Sequence, residues 1–210
     1  MSAFTAEVAQ RAMSELKRWN NGKGRETADP FCAYVGEYWS FGLKNAHING
    51  RTTYQDKKGN TYRPAWSSAF ISFIMKKSGA GSEFYYHEGH IHYVVKAMRD
   101  ASAPQPTAKF LARDPTAYAP KVGDIINAGR GAAKSLRYGT VLNAYGGAVV
   151  PYGAFQPSHS DIVVAVSKGK VVTIGGNVEP DTVGEKTWRL RPDGTLVKGG
   201  EIITVIECLL

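Results

Sequence analysis

Apolar positions in the first hundred residues recur at helical spacing. In MSAFTAEVAQRAMSELKRW, Phe4, Val8, Met13, Leu16 and Trp19 fall near one side, which predicts an amphipathic helix over about 5–19. The polar loop NNGKGRETAD follows. Asp29 is expected to cap a second helix, with Pro30 at its first position, over PFCAYVGEYWSFG. Residues 45–64 are polar and glycine-bearing and predict a loop or short hairpin. In RPAWSSAFISFIMKKSGAG, Phe70, Phe73, Ile74 and Lys77 return to helical spacing and Gly79 stops the helix. A fourth helix is predicted over IHYVVKAMRDA.

After Ala101 the period changes. ASAPQPTAKFLARDPTAYAP carries four prolines, which predicts an ordered loop or a short helix. From Val122 onward the runs VGDIINA, TVLNAYGGAVV, DIVVAV, KVVTIGG, EKTWRLR and EIITVIE are separated by Gly, Pro, Asn and Asp and read as strands. Helices first and strands second predict an α+β fold with an antiparallel sheet, not a doubly wound one. With no internal repeat and no linker, the 210 residues are expected to form one domain.

Composition adds little to the fold but narrows the partners. The longest apolar runs are short, so no transmembrane segment is expected. The N-terminus lacks the continuous apolar segment of a Sec signal. The chain carries 26 Lys and Arg against 18 Asp and Glu, which favours an anionic partner. The basic residues are dispersed and accompany no nucleic-acid motif, so an anionic envelope polymer is preferred to nucleic acid. Cys32 and Cys208 lie far apart, and sequence leaves open whether they pair.

Five places carry candidate chemistry. Ser67 stands at the start of the third helix, where unpaired backbone N–H groups and a positive dipole end stabilise an oxyanion. Ser is also a favoured cap residue, so its position alone settles nothing. In SHSDIVVAV, His159 and Asp161 share one face of a strand, the placement of a general base and its partner. In KVVTIGGNVEPDTV, Asn177 is placed to orient an imidazole or simply to make a turn. Cys32, near a helix start in DPFCAYV, is an alternative nucleophile or a small buried residue. HEGHIH offers His87, His90 and His92, but its spacing is not that of the zincin helix. No metal or other cofactor is therefore expected, and one of these histidines is expected to line a cleft near Ser67. GRGAAKS is no phosphate loop, because Ala128 and Ala133 occupy the required glycine positions.

The ordered blocks W-S-S-A-F-I-S, P-K-V-G-D-I-I, H-S-D-I-V-V and I-G-G-N-V, with VGEYWSFG around Trp39 and HIHY, resemble the bacterial domain-of-unknown-function 2272 family over about residues 30–180. More distantly they are similar to the NlpC/P60 and CHAP cell-wall peptidases, whose fold is papain-like. That resemblance implies a nucleophile at a helix start, a histidine on a later strand and a third polar residue on the next. Carried over, it gives Ser67 as nucleophile in the usual cysteine position, His159 as base, Asn177 or Asp161 as its orienting group, and Trp66, His90 and Tyr93 as substrate contacts. The implied activity is hydrolysis of an amide bond in bacterial cell-wall peptide. The chain would be cytoplasmic when made and then exported or injected, as an antibacterial effector toxin or a lysin. A secretion machine or an immunity protein would then be a partner. The rival readings are an inactive binding module of the same fold and a serine esterase or acyltransferase acting on lipid.

Overall fold

The computed structural model describes residues 1–145, 156–197 and 201–210. Helix α1 spans Ala3–Arg18, opened by Ser2, whose Oγ accepts from the Thr5 amide at 3.1 Å. Its buried residues are Thr5, Val8, Ala9, Ala12 and Glu15; of the expected stripe Val8 and the cap residue Trp19 are buried, and Phe4, Met13 and Leu16 are partly buried against the core. Helix α2 (Phe31–Glu37) runs directly into a π-helical turn, Tyr38–Gly42. Asp29 is not its cap. Pro30 holds that position without a side-chain hydrogen bond, while Asp29 accepts from Cys32 Sγ (3.1 Å) and Arg51 Nη2 (2.8 Å). Residues 45–64 do form a hairpin, β1 (Tyr54–Gln55) with β2 (Thr61–Tyr62). Then come α3 (Ser67–Lys77) and α4 (His90–Ala101), where the helical spacing put them.

The second half forms a six-stranded antiparallel sheet. Its strands are β3 (Phe110–Arg113), β4 (Ile125–Gly129), β5 (Ser158–Ser167), β6 (Lys170–Val178), β7 (Thr182–Arg189) and β8 (Ile202–Cys208), in the order β3-β8-β4-β5-β6-β7. The architecture is thus α+β with an antiparallel sheet. Two expectations fail. The proline-flanked FLAR is an edge strand, held by pairing with β8. TVLNAYGGAVV is not a strand where it is described: Tyr138–Tyr145 is helix α5, and residues 146–150 lie outside the described residues. Between β4 and α5, Gly131–Ser135 makes a 3₁₀ turn.

Strand alternation splits the sheet into two apolar faces. Ile125, Ile162 and Ile174 join the main core beneath the helices. Ile126, Val163 and Val171 join a second cluster on the outer face, with Leu196, Ile202 and Val205. Helix α3 is the hinge of this packing. Every residue from Ser67 to Met75 is buried, because the helix lies between the π-helical turn and strands β5 and β6. Gly176 permits that approach: a Cβ there would sit 2.6 Å from Phe70 Cβ and 2.7 Å from Trp66 Cζ3.

Candidate functional site

Ser67 is the first residue of α3, with Trp66 as its cap. The Trp66 carbonyl accepts from the Phe70 amide at 2.9 Å, and the Trp66 amide donates to Asn177 Oδ1 at 3.2 Å. The amides of Ser67, Ser68 and Ala69 follow in the first turn, where no helical carbonyl precedes them. Asn177 therefore anchors the helix start and does not orient an imidazole. Its left-handed backbone (φ 55°) is one that Asn tolerates better than most residues.

The hydroxyl of Ser67 lies 2.6 Å from His90 Nε2. His90 opens α4, and Tyr93 stands three residues on, on the same helical face. The Tyr93 hydroxyl meets the other ring nitrogen, Nδ1. The hydroxyls of Ser68 and Ser160 lie near Tyr93 in turn. Ser68 Oγ also donates to the His87 carbonyl at 2.6 Å, which ties the loop before α4 to the start of α3. Burial holds the His90 imidazole well below the ordinary histidine range, and the nearby His159 and the Arg130 guanidinium push the same way. A neutral ring with Tyr93 on one nitrogen and Ser67 on the other is set up to take the serine proton.

The expected contact between Ser67 and His159 is not made. On β5, Ile162 belongs to the helix-side core and Val163 to the outer cluster, so alternation gives His159 and Asp161 to the outer face. There His159 Nε2 lies 2.9 Å from Asp161 Oδ1, but out of line for a hydrogen bond, and Nδ1 has no partner either among the described residues. Both side chains rest on Gly175, where a Cβ would come within 1.9 Å of Asp161 Oδ1. Regular pairing of β5 with β6 ends at Ile162–Ile174, and near that gap the His159 ring comes within 5.6 Å of the His90 ring, centroid to centroid. The strand reading correctly put His159 and Asp161 together but attached them to the wrong serine distance.

The other expected contacts sort by burial. Trp66 is fully buried, stacked on Trp19 at 4.9 Å and donating from Nε1 to Glu26 Oε2 at 2.7 Å, so it is core and not a substrate contact. Tyr93 is buried under α4 and reaches the site only through His90. Cys32 and Cys208 are both unpaired and buried, and burial pushes both thiols up, with Asp29 adding to the effect at Cys32. Neither is an activated thiolate. His87 and His92 stack on each other at 3.6 Å, and no group of three or more metal-ligating side chains occurs among the described residues.

A family described as an uncharacterized protein conserved in bacteria, DUF2272, matches residues 29–206. The chain belongs to this family. The match takes in α2 through most of β8 and so includes Ser67, His90, Tyr93, His159, Asp161 and Asn177. No curated protein and no solved structure matches the chain. No described helix is long and apolar enough to cross a membrane.

His90 was the residue that sequence reasoning undervalued. It lies 23 positions from Ser67, in a histidine-rich run expected to line a cleft near Ser67, where His90 is expected as a substrate contact and not as the base. The available signal was its spacing to Tyr93 at the start of an amphipathic helix.

Proposed function

We propose that this protein is a serine hydrolase of papain-like architecture that cleaves an amide bond of bacterial cell-wall peptide, with Ser67 as nucleophile and His90 as general base. The observation that carries the reading is the 2.6 Å approach of Ser67 Oγ to the neutral imidazole of His90 at a helix N-terminus. A helix start bearing the nucleophile, packed on antiparallel strands, supports the papain-like assignment. The net charge of +8 supports an anionic wall polymer as the carrier of the peptide.

In the reaction, Ser67 Oγ attacks the carbonyl carbon while its proton passes to His90 Nε2. The tetrahedral oxyanion is held by first-turn amides of α3. His90 returns the proton to the departing amine, leaving an acyl ester on Ser67. Water then adds to the ester, His90 takes its proton, and the acid leaves as Ser67 recovers its hydrogen. In the tautomer with Nδ1–H donating to the Tyr93 hydroxyl, Nε2 is the acceptor that takes the Ser67 proton.

A second reading, a binding module without catalysis, is favoured by one feature. Ser67 is only 5% exposed and His90 equally so, which restricts access to the pair. Incubation with purified cell-wall sacculi separates the two. The hydrolase releases soluble peptides with new amino termini, and Ser67→Ala abolishes release while leaving the fold intact. Release that survives Ser67→Ala defeats the assignment, and co-sedimentation without release supports the binding module.

A further inference from the structure

On the outer face of the sheet, a cleft of about 450 Å³ opens over β4, β5 and β7. His159 and Asp161 line it, with Arg130, Glu179, Glu185 and Trp188. We propose that this cleft binds a primary ammonium group, such as the side-chain amine of a peptide, with His159 and Asp161 as its contacts. The inference does not depend on Ser67 being a nucleophile.

Three observations converge. First, His159 is 7% exposed, and neither of its ring nitrogens has an aligned hydrogen-bond partner among the described residues. Buried polar atoms in folded proteins are nearly always paired, so an unpaired one on a residue that lines a cleft marks a place where something else supplies the bond. Second, the neighbour fixes the kind of bond required. Nε2 is the nitrogen beside Asp161 Oδ1, an acceptor, so the proton of a neutral ring belongs on Nε2. Nδ1 then presents a lone pair, and its partner has to be a donor. Third, the cleft is acidic within a basic chain. It is lined by Asp161, Glu179, Glu185 and Glu201 against Arg130 and Lys186. The Arg130 guanidinium is close enough to Asp161 and Glu179 to offset part of their charge, Glu201 is partly offset by Lys134 at 3.4 Å, and the Lys186 ammonium is drawn onto the Trp188 ring at 3.6 Å, which leaves the lining acidic by one or two charges. A donor that is also a cation satisfies both the lone pair and the acidic lining. A metal ion fits less well, because among the described residues no third His, Cys, Asp or Glu joins the pair.

The test is calorimetric titration of the full chain with Nα-acetyl-lysine amide and with its Nε-acetylated counterpart. The free amine is expected to bind, and the acetylated probe, which lacks the charge, to bind about tenfold or more weakly. Asp161→Asn should weaken the amine by a similar factor. Because Asp161 is buried, the exposed pair Glu179→Gln with Glu185→Gln serves as the second variant, weakening binding at low salt without risk to the fold. Ser67→Ala should bind as the wild type does, so failure of the hydrolase reading would leave this result standing. Absence of binding, equal binding of the two probes, or binding indifferent to both sets of acidic substitutions would overturn the proposal.

Discussion

His90 shows how one residue joins burial to chemistry. An exposed imidazole near a serine would be partly protonated at mildly acidic pH and useless as a base there. Here burial, with His159 and the Arg130 guanidinium nearby, keeps it neutral. The Tyr93 hydroxyl occupies Nδ1 and so leaves Nε2 as the nitrogen that faces Ser67. Tyr93→Phe removes that contact together with those to the Ser68 and Ser160 hydroxyls. Loss of one net hydrogen bond, about 1 kcal/mol, would slow acylation roughly fivefold. Steady-state kinetics on wall peptide should show the loss in kcat with KM nearly unchanged. A Tyr93→Phe variant at full speed would mean that the Tyr93 contact does not support His90 as the base.

At the scale of elements, the contact between α3 and β6 determines where Ser67 stands. Gly175 and Gly176 close the run KVVTIGG that the sequence reads as a strand. In the fold both lie inside β6, chosen because no side chain fits: Gly175 supports the His159–Asp161 pair and Gly176 lies against Phe70 and Trp66. Gly176→Ala would overpack that seam at a cost of about 1–3 kcal/mol, visible as a lower midpoint in thermal unfolding. An unchanged midpoint would show that α3 can slide on the sheet without penalty. The long elements were legible because period carries them: α1, α3, α4, β5, β6 and β8 stand close to where their patterns put them. Two short ones were not. FLAR is a strand only because β8 lies beside it, and prolines on both sides masked it. In YGTVLNAY the β-branched Thr140 and Val141 suggested a strand, whereas Val141 is buried in the core as part of a helix.

For the whole molecule, the limit of the sequence lay in pairing across distance. Strand alternation gave the His159–Asp161 pair, since both belong to one strand. It could not say which sheet face the helices would cover, nor that His90 would reach Ser67 first. The same burial that brings His90 to Ser67 also leaves a mark on global stability. An unfolded chain takes up a proton on this histidine below about pH 6.5, while the folded chain resists until well below that. The folded state thus has its full advantage above about pH 6.5 and loses it as pH falls. His87 and His92, both lowered by burial, act with the same sign. Asp124, pushed up to about 6 by burial, acts with the opposite one, costing stability as pH rises from its unfolded value toward 6. His90→Gln isolates the first effect. Denaturant unfolding should show the wild-type advantage over His90→Gln shrinking between pH 7 and pH 5.5, by at most about 1.4 kcal/mol per pH unit. A constant difference would mean that His90 is not held neutral.

The account rests on Ser67 being activated by His90, and reaction with a fluorophosphonate tests that without a known substrate. The serine oxygen bonds to phosphorus, fluoride leaves, and the base takes the proton. Mass spectrometry of the treated, folded protein should find one adduct, on the peptide containing Ser67, with His90→Gln slowing its formation by about a hundredfold or more. An unmodified Ser67, or an adduct that forms equally fast in His90→Gln, would contradict it.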